Sequence, residues 1–259
     1  MYGLKIAVPT RVFGQSLKQA LHTARRCHVD GVQIDARFEL RPDELSETAA
    51  RQLRKMLDDL DLRVASLRFP ARRGYADPGD LQRRIDATLA CLPMADRLAA
   101  RLLACPLGPL PSPDSPQRSE LTRVLERLAA AGERYGVRIA LEASEAEPAE
   151  LRALLAGLSP GGIGVDFSPA DLILHRHAPV AFLEALGDRV VHVRANDAIG
   201  GLGGSVGAPT TLGRGSADFA DLIARLEQYG YRDWVTIDPR DAADPCSAVD
   251  DATALLRSL

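Results

Sequence analysis

The sequence predicts a single (β/α)8 barrel, the TIM-barrel fold of the α/β class, for three reasons. Eight short apolar segments alternate with longer amphipathic ones along the 259 residues. The short segments are rich in Val, Ile and Leu and lack strict polar alternation, as expected of parallel strands that are buried on both faces. No composition shift or linker divides the chain, and a hydrophobic content of 46% suffices for one sizeable core. We therefore expect residues 1–259 to form one domain.

The strand candidates are spread over the whole chain. They cover residues 4–8, 31–35, 62–67, 101–105, 137–142, 162–166, 189–194 and 234–238. An open, doubly wound sheet uses the same βα units, but no GxGxxG motif follows the first candidate strand. Eight units is also the number that closes a barrel.

Amphipathic stripes between the strands predict the helices. Residues 42–60 and 119–135 each place leucines on one helical face, and residues 219–226 and 249–256 predict the last two helices. The glycine-rich segment 199–215 is long for a βα loop. It is a candidate mobile lid or substrate loop, with a plain surface loop as the alternative.

Charge and cysteine content narrow the expected partners and location. The net charge of −3 and the pI of about 6.0 give no general polyanion-binding surface, so nucleic acid is not an expected partner. The chain start lacks a secretory-signal pattern, and no run of 18 apolar residues occurs, so we expect no membrane span. Four dispersed cysteines without CxxC spacing favour free thiols in a reducing cytoplasm.

The residues that end the strands of such a barrel point into its open mouth. Read in order, those ends are Asp35, Arg68, Cys105, Glu142, Asp166, His192 with Arg194, and Asp238. Carboxylates packed this closely repel one another and persist with a cation or a shared proton. Oxygen ligands with one imidazole suit Mn²⁺ or Mg²⁺, with Zn²⁺ or Co²⁺ as alternatives. Such an ion would polarise a carbonyl or hydroxyl group while a neighbouring carboxylate moves a proton.

Several segments match one known family in order and spacing. RIALE, which ends at Glu142, and GIGVD, which ends at Asp166, resemble strand-end motifs of the sugar phosphate isomerase/epimerase family. These are the xylose isomerase-like TIM barrels, a group that also includes endonuclease IV. RVVHVRANDA around His192 resembles the strand-seven motif of the family. LGRGSADF and GYRDWVTID, the second of which ends at Asp238, resemble its last segment.

The resemblance implies an activity and a role for each of these residues. Four residues would hold a divalent metal ion at the mouth: Glu142, Asp166, His192 and Asp238. Glu142 and Asp238 would also transfer protons through an enediolate that the ion stabilises. The implied substrate is a sugar, a sugar phosphate or a related polyol, which Arg68, Arg194 and Asp35 would bind.

The sequence departs from the family pattern at several of these positions. Asp238 stands where glutamate is usual, and Pro169 and Arg68 stand where relatives often have histidine. The strand-seven motif aligns with either His192 or Arg194 at the ligand position, and both face the same way because strand side chains alternate. Replacing imidazole by guanidinium removes ligands and adds positive charge, which disfavours a cation.

Two functions follow as hypotheses. The first is a divalent-metal-assisted isomerase or epimerase of carbohydrates. The second is a catalytically degenerate, metal-free barrel that binds a small anionic ligand, in which acids and arginines neutralise one another. DNA repair like that of endonuclease IV is weaker, since the histidines of a three-metal site are lacking. Arg72 and Arg73 lie in a mouth loop that could clamp a phosphate or carboxylate. Whether the chain forms a homo-oligomer stays open.

Overall fold

Eight parallel strands close into a barrel in the computed structural model, which describes residues 4–201, 207–240 and 242–259. Each strand pairs with the next one along the chain, and the last pairs with the first. The barrel strands are β1 (Lys5–Pro9), β2 (Gly31–Asp35), β3 (Arg63–Arg68), β4 (Leu102–Pro106), β5 (Arg138–Glu142), β6 (Ile163–Phe167), β7 (Val190–Ala195) and β10 (Trp234–Ile237). The predicted (β/α)8 barrel is confirmed, and every predicted strand boundary lies within one residue of the observed one.

Helices surround the barrel. They are α1 (Leu17–Arg26), α2 (Glu47–Asp59), α3 (Leu81–Arg97), α4 (Pro116–Tyr135), α5 (Pro148–Ala156), α6 (Pro169–Leu174), α7 (Pro179–Leu186), α8 (Phe219–Gln228) and α9 (Pro245–Ser258). The helix predicted over residues 42–60 was wrong at its start, because Ser46 caps α2 by accepting a hydrogen bond from the Ala49 amide at 3.2 Å. The expectation of one helix per strand was also wrong between β6 and β7. Two short helices stand there, separated by Arg176 at a φ of 65°.

The core has two parts. The larger part packs the outward face of the strands against the helices, with Leu21, Leu57, Leu103 and Leu125 among its buried residues. A small cluster groups Leu102, Ala104, Ala140 and Val191 from β4, β5 and β7. Since β4 and β7 are not neighbours in the sheet, this cluster crosses the barrel interior below the mouth.

The strand register brings the candidate residues to one level at the carboxyl ends of the strands. Glu142 pairs with Asp166 across β5 and β6, and Asp166 pairs with His192 across β6 and β7. Arg194 pairs with Thr236 of β10. The barrel therefore presents these side chains as parts of one ring.

The glycine-rich segment after β7 begins and ends in a small antiparallel hairpin, β8 (Asp197–Ile199) and β9 (Ala208–Thr210). Residues 202–206 lie outside the described residues, so the predicted lid stays a prediction. Asp197 holds the residues that follow β9. Its carboxylate accepts hydrogen bonds from the amides of Gly213, Gly215 and Ala217 at 3.2, 2.8 and 3.0 Å. Among the helices described, none has the length and apolar character needed to cross a membrane.

Candidate active site at the barrel mouth

The guanidinium group of Arg194 occupies the centre of the mouth. Its Nε donates to Asp166 Oδ2 at 2.6 Å, and its Nη2 contacts the same oxygen and lies 3.1 Å from Glu142 Oε1. On the other side, Nη1 lies 3.7 Å from Asp171 Oδ2 and 3.8 Å from Asp238 Oδ2. One arginine thus faces four carboxylates that come from three different parts of the chain.

The protonation states in this cluster follow from burial and charge. Burial by itself would lower the pKa of Arg194, but the four surrounding carboxylates raise it well above its ordinary value. For Asp166, burial acts to raise the pKa, while Arg194 and His192 outweigh it and hold the pKa below its usual range. Arg194 and Asp166 are therefore both charged at neutral pH, and they form a buried ion pair that further hydrogen bonds support.

Arg68 holds Glu142 in a two-pronged pair. Its Nε donates to Oε1 at 2.6 Å and its Nη2 to Oε2 at 2.9 Å, so both oxygens of the carboxylate are engaged. The hydrogen bonds to Glu142 raise the pKa of Arg68. This planar fork is the geometry in which arginine binds carboxylates most strongly.

His192 lies completely buried below this layer. Its Nδ1 donates to Asp166 Oδ1 at 2.8 Å, and its Nε2 shares a hydrogen bond of 2.8 Å with Thr236 Oγ1. Both ring nitrogens are thus engaged. The structure places His192 as a support for Asp166, and it places Arg194, two residues further along the same strand face, at the centre of the mouth.

Asp238 is held at the end of β10 by two donors. Arg240 Nε donates to Asp238 Oδ2 at 2.8 Å, and Asn196 Nδ2 donates to the same oxygen at 3.3 Å. Arg240 reaches further to Asp171, where its Nη2 donates to Oδ2 at 2.8 Å. Asp171, Asn196 and Arg240 were not predicted as site residues, since they lie in the loops and the short helix that follow the strands.

Asp35 shapes the loop after β2. Its Oδ1 accepts hydrogen bonds from the amides of Arg37 and Phe38 at 2.8 and 2.9 Å, which fixes a turn, and Oδ2 lies 3.4 Å from Arg11 Nη1. The turn exposes 63% of Phe38 at the rim, with the Arg11 guanidinium 4.6 Å from its ring centroid. Asp35 and Arg68 are neighbours in the register of β2 and β3.

Glu39 is a further acid at the mouth that sequence reasoning missed. Its Oε2 accepts hydrogen bonds from Thr10 Oγ1 at 2.8 Å and from the Asp35 amide at 2.9 Å, while the buried Oε1 has no partner among the described residues. Burial raises the pKa of this carboxyl group, and the two hydrogen bonds oppose that effect. The sequence offered no signal for Glu39 beyond its position four residues after a strand end.

Cys105 was read as the end of β4, but it does not belong to the site. The thiol is completely buried, and β4 ends one residue later, at Pro106. Burial raises the pKa of Cys105 to about 12, so the thiol is protonated and unreactive. The four cysteines of the chain are free.

Three cavities open among these groups, and Arg194 lines two of them. The larger of these two has a volume of about 440 Å³ and extends from β10 to the loop after β2, between Asp238, Arg194, Arg68, Asp35 and Glu39. The smaller, of about 300 Å³, reaches Glu142 from the side of α6. Arg68, Arg194 and Arg240 line both of these cavities and form the wall between them.

The side chains as arranged do not fit a divalent metal ion. In the ranges that the structure describes, no group of three or more His, Cys, Asp or Glu side chains converges on a point where an ion could sit. Three of the four predicted ligands face the guanidinium of Arg194, and the fourth, His192, has both nitrogens engaged. The predicted ligand set therefore stays a prediction that this geometry does not support.

Residues 21–259 match the sequence profile of the xylose isomerase-like TIM barrels. The chain belongs to this family. The resemblance inferred from the strand-end motifs is thereby confirmed. No curated protein matches the chain.

Solved structures of xylose isomerase-like barrels superimpose along the whole chain. A xylose isomerase domain protein from Planctomyces limnophilus has a TM-score of 0.84 at 22% identity and covers 98% of this chain and 95% of its own. A xylose isomerase-like protein from Mycobacterium smegmatis, in complex with magnesium, has a TM-score of 0.83 at 13% identity, with 100% and 98% covered. D-allulose 3-epimerase from Methylomonas sp., in complex with D-allulose, has a TM-score of 0.76 at 18% identity, with 99% and 97% covered. These TM-scores show a shared fold, and sequence identities this low support no conclusion beyond the fold.

Proposed function

We propose that this barrel binds a sugar or a related polyol at its mouth and carries out proton transfer of the isomerase or epimerase type. In this proposal Arg194 takes the place predicted for a metal ion. The observation that carries it is the contact of one buried guanidinium group with Glu142, Asp166 and Asp238, three of the four predicted metal ligands. Relatives of this fold that bind or epimerise D-allulose support the reaction class.

The lining of the larger cavity suits a ligand with many hydroxyl groups. Four arginines supply N–H donors and three acids supply acceptors to the lining of this space: Arg11, Arg68, Arg194, Arg240, Asp35, Glu39 and Asp238. A hydroxyl group both donates and accepts hydrogen bonds, and a polyol can therefore satisfy both kinds of lining group. The exposed ring of Phe38 offers an apolar surface for the carbon face of such a ligand.

The same groups could stabilise a proton transfer next to a carbonyl group. Removal of a proton from the carbon beside the carbonyl leaves negative charge on the substrate oxygen, and fixed guanidinium N–H donors stabilise that charge. Asp238 lines the cavity and is the better placed of the two predicted proton carriers, with Oδ2 held by Arg240 and Asn196. It would take the proton from one carbon and return it to the adjacent carbon, whereas epimerisation would require a second group to deliver a proton to the opposite face of the same carbon.

A second candidate function is binding of a ligand without catalysis. The observation that favours it is the pair formed by Arg68 with both oxygens of Glu142, which leaves that carboxylate without a free oxygen to move a proton. Such a barrel would bind a small anionic ligand, such as a sugar phosphate, because four arginines line the cavity.

Deuterium exchange distinguishes these functions. The protein, treated with EDTA, is incubated in D₂O with D-allulose and a panel of ketohexoses and ketose phosphates, and proton NMR follows the loss of signal beside the carbonyl. We expect exchange in the wild type, loss of exchange in Asp238→Asn, and unchanged exchange in Asp233→Asn, which breaks an ion pair with Arg138 at the other end of the barrel.

Two other outcomes of the exchange experiment would change the proposed function. Saturable binding of a sugar phosphate without any exchange supports the second candidate. Exchange that requires added Mn²⁺ contradicts the role given to Arg194.

A further inference from the structure

A groove rich in arginine lies beside the mouth, between the loops that follow β2 and β3 and the first turns of α3. Its volume is about 650 Å³, and it shares no lining residue with the larger mouth cavity. Six arginines and two acids contribute to its lining: Arg37, Arg41, Arg72, Arg73, Arg83, Arg84, Asp43 and Asp80. We call this the arginine groove.

Much of the positive charge in the arginine groove has no carboxylate partner. Arg72 and Arg83 are exposed, and no ion pair joins either of them to an acid in the part of the chain that the structure describes. Arg73 has its nearest carboxylate, Asp77, at 3.9 Å, with both side chains exposed to solvent, so water screens the pair. Among the described residues, Arg41 is the one of the six arginines that forms a close ion pair, with Asp43 at 2.9 Å.

Arg84 shapes the groove and keeps its charge. Its Nε donates to the Gly74 carbonyl at 2.8 Å, and its two terminal nitrogens donate to the carbonyls of Asp77 and Gly79. These acceptors are neutral, and none of the described acids forms an ion pair with Arg84, so the guanidinium holds the loop after β3 in place without giving up its charge. A loop fixed by a cation in this way forms a preorganised binding surface.

Arg73 is held in a backbone conformation that arginine rarely adopts. Its φ is 70°, and the φ of the following Gly74 is 61°. The loop packs tightly against the segment after β4, since the Tyr75 amide donates to the Leu107 carbonyl at 3.0 Å and a Cβ on Gly74 would lie 2.0 Å from that carbonyl oxygen. Glycine would adopt this conformation at lower cost, and the tight packing at Gly74 keeps Arg73 in this conformation at the edge of the groove.

The shape of the arginine groove limits what it can bind. Phe69 and Ala71 give it an apolar floor, and α3 begins at its edge with Asp80, whose side chain makes no capping hydrogen bond. The positive end of the α3 dipole lies at this edge together with the Asp80 carboxylate, which offsets part of it. The volume exceeds that of a single inorganic anion, and a whole-chain net charge of −3 gives no continuous basic surface for a long polymer.

We propose that the arginine groove binds a small molecule that carries a diphosphate or a phosphate monoester. Guanidinium forks match phosphate oxygens, and several arginines around one space favour a ligand with two or more negative charges. The apolar floor would contact the remainder of the molecule. This inference is independent of the reaction proposed for the mouth.

Calorimetric titration with sodium pyrophosphate at fixed ionic strength tests the proposal. We expect one pyrophosphate per chain for the wild type, affinity reduced by about tenfold or more in Arg72→Gln and in Arg83→Gln, and a larger loss in the double variant. Both side chains are exposed, so circular dichroism should show an unchanged fold. The matched control is Arg134→Gln, an exposed arginine in the last turn of α4 at the opposite end of the barrel, which should bind like the wild type.

Three results would overturn the proposal. The wild type could fail to bind pyrophosphate, or Arg134→Gln could weaken binding as much as Arg72→Gln. Alternatively, Arg11→Gln in the mouth cavity could abolish binding while Arg72→Gln and Arg83→Gln leave it intact, which would place the anion in the mouth.

Discussion

Replacing Arg194 by serine removes the guanidinium group that separates Glu142, Asp166 and Asp238. The side chain of Asp166 is 0% exposed and that of Arg194 is 9% exposed, so the variant leaves a buried carboxylate with His192 as its remaining partner. Removing one partner of a buried ion pair costs about 3–5 kcal/mol of unfolding free energy. For a chain of this size, that corresponds to a drop in Tm of roughly 6–20 °C.

The same variant should create a cation site. Glu142, Asp166 and Asp238 would then face an open space without their shared positive charge, and Mn²⁺ could enter it. An ion bound at a hundredfold excess over its Kd restores about 2.7 kcal/mol to the folded state. We therefore expect Mn²⁺ to raise the Tm of Arg194→Ser by several degrees and to leave the wild type unchanged.

Thermal unfolding with and without Mn²⁺ is the assay, and Arg138→Ser is the matched control. Arg138 forms a single ion pair with Asp233 at 2.8 Å, away from the acidic cluster, so its removal should give a small loss of stability and no response to Mn²⁺. Equal stabilisation of the wild type and of Arg194→Ser by Mn²⁺, or a wild-type Tm in Arg194→Ser, would contradict the role given to Arg194.

The stability that Arg194 contributes should decrease as the pH falls. The pKa of Asp166 is depressed in the folded wild type, so the ion pair contributes stability above the unfolded pKa of about 3.9 and loses it as pH falls through the folded value. The stability difference between wild type and Arg194→Ser should therefore be largest near neutral pH and shrink in acid. A difference that grows on acidification would contradict the assignment.

Three further predictions concern single positions. His192→Ala should lower the unfolding free energy by about 3 kcal/mol in urea titrations, since two buried hydrogen-bonding groups lose their partner, and wild-type stability would contradict this. Because burial raises the folded-state pKa of Glu39, its ionisation opposes folding as pH rises, so Glu39→Gln should match the wild type near pH 4 and be more stable than it at pH 8. The reverse order at pH 8 would exclude the assigned cause. Gly74→Ala should destabilise the chain by about 2–3 kcal/mol and weaken pyrophosphate binding, because its φ is 61° and its Cβ would overlap a backbone carbonyl.

Much of the fold was predictable because its signals are local. Strand ends such as Glu142 and Asp166 stood out as apolar runs that stop at an acid, and parallel strands in a barrel bring such ends together. The start of α2 was predicted too early, because Leu45 continues the apolar spacing of the helix, whereas Ser46 caps the helix and begins it at Glu47.

The partners of the site residues were harder to predict. Strand alternation puts His192 and Arg194 on one face, but it does not say which side chain reaches the middle of the mouth. The arginine does so because it lies nearer the strand end and is long enough to contact Glu142 across β6. Glu39 was missed because it lies in a turn after β2, and Asp171 because it lies in the short helix α6, so neither position ends a strand.

Crystals of the wild-type protein soaked in Mn²⁺ and measured at the manganese absorption edge give the most direct test of the place assigned to Arg194. We predict no anomalous peak between Glu142 and Asp166, with the Arg194 guanidinium in hydrogen-bonding contact with both. A manganese peak at that position, with the Arg194 side chain turned away from it, would contradict the account.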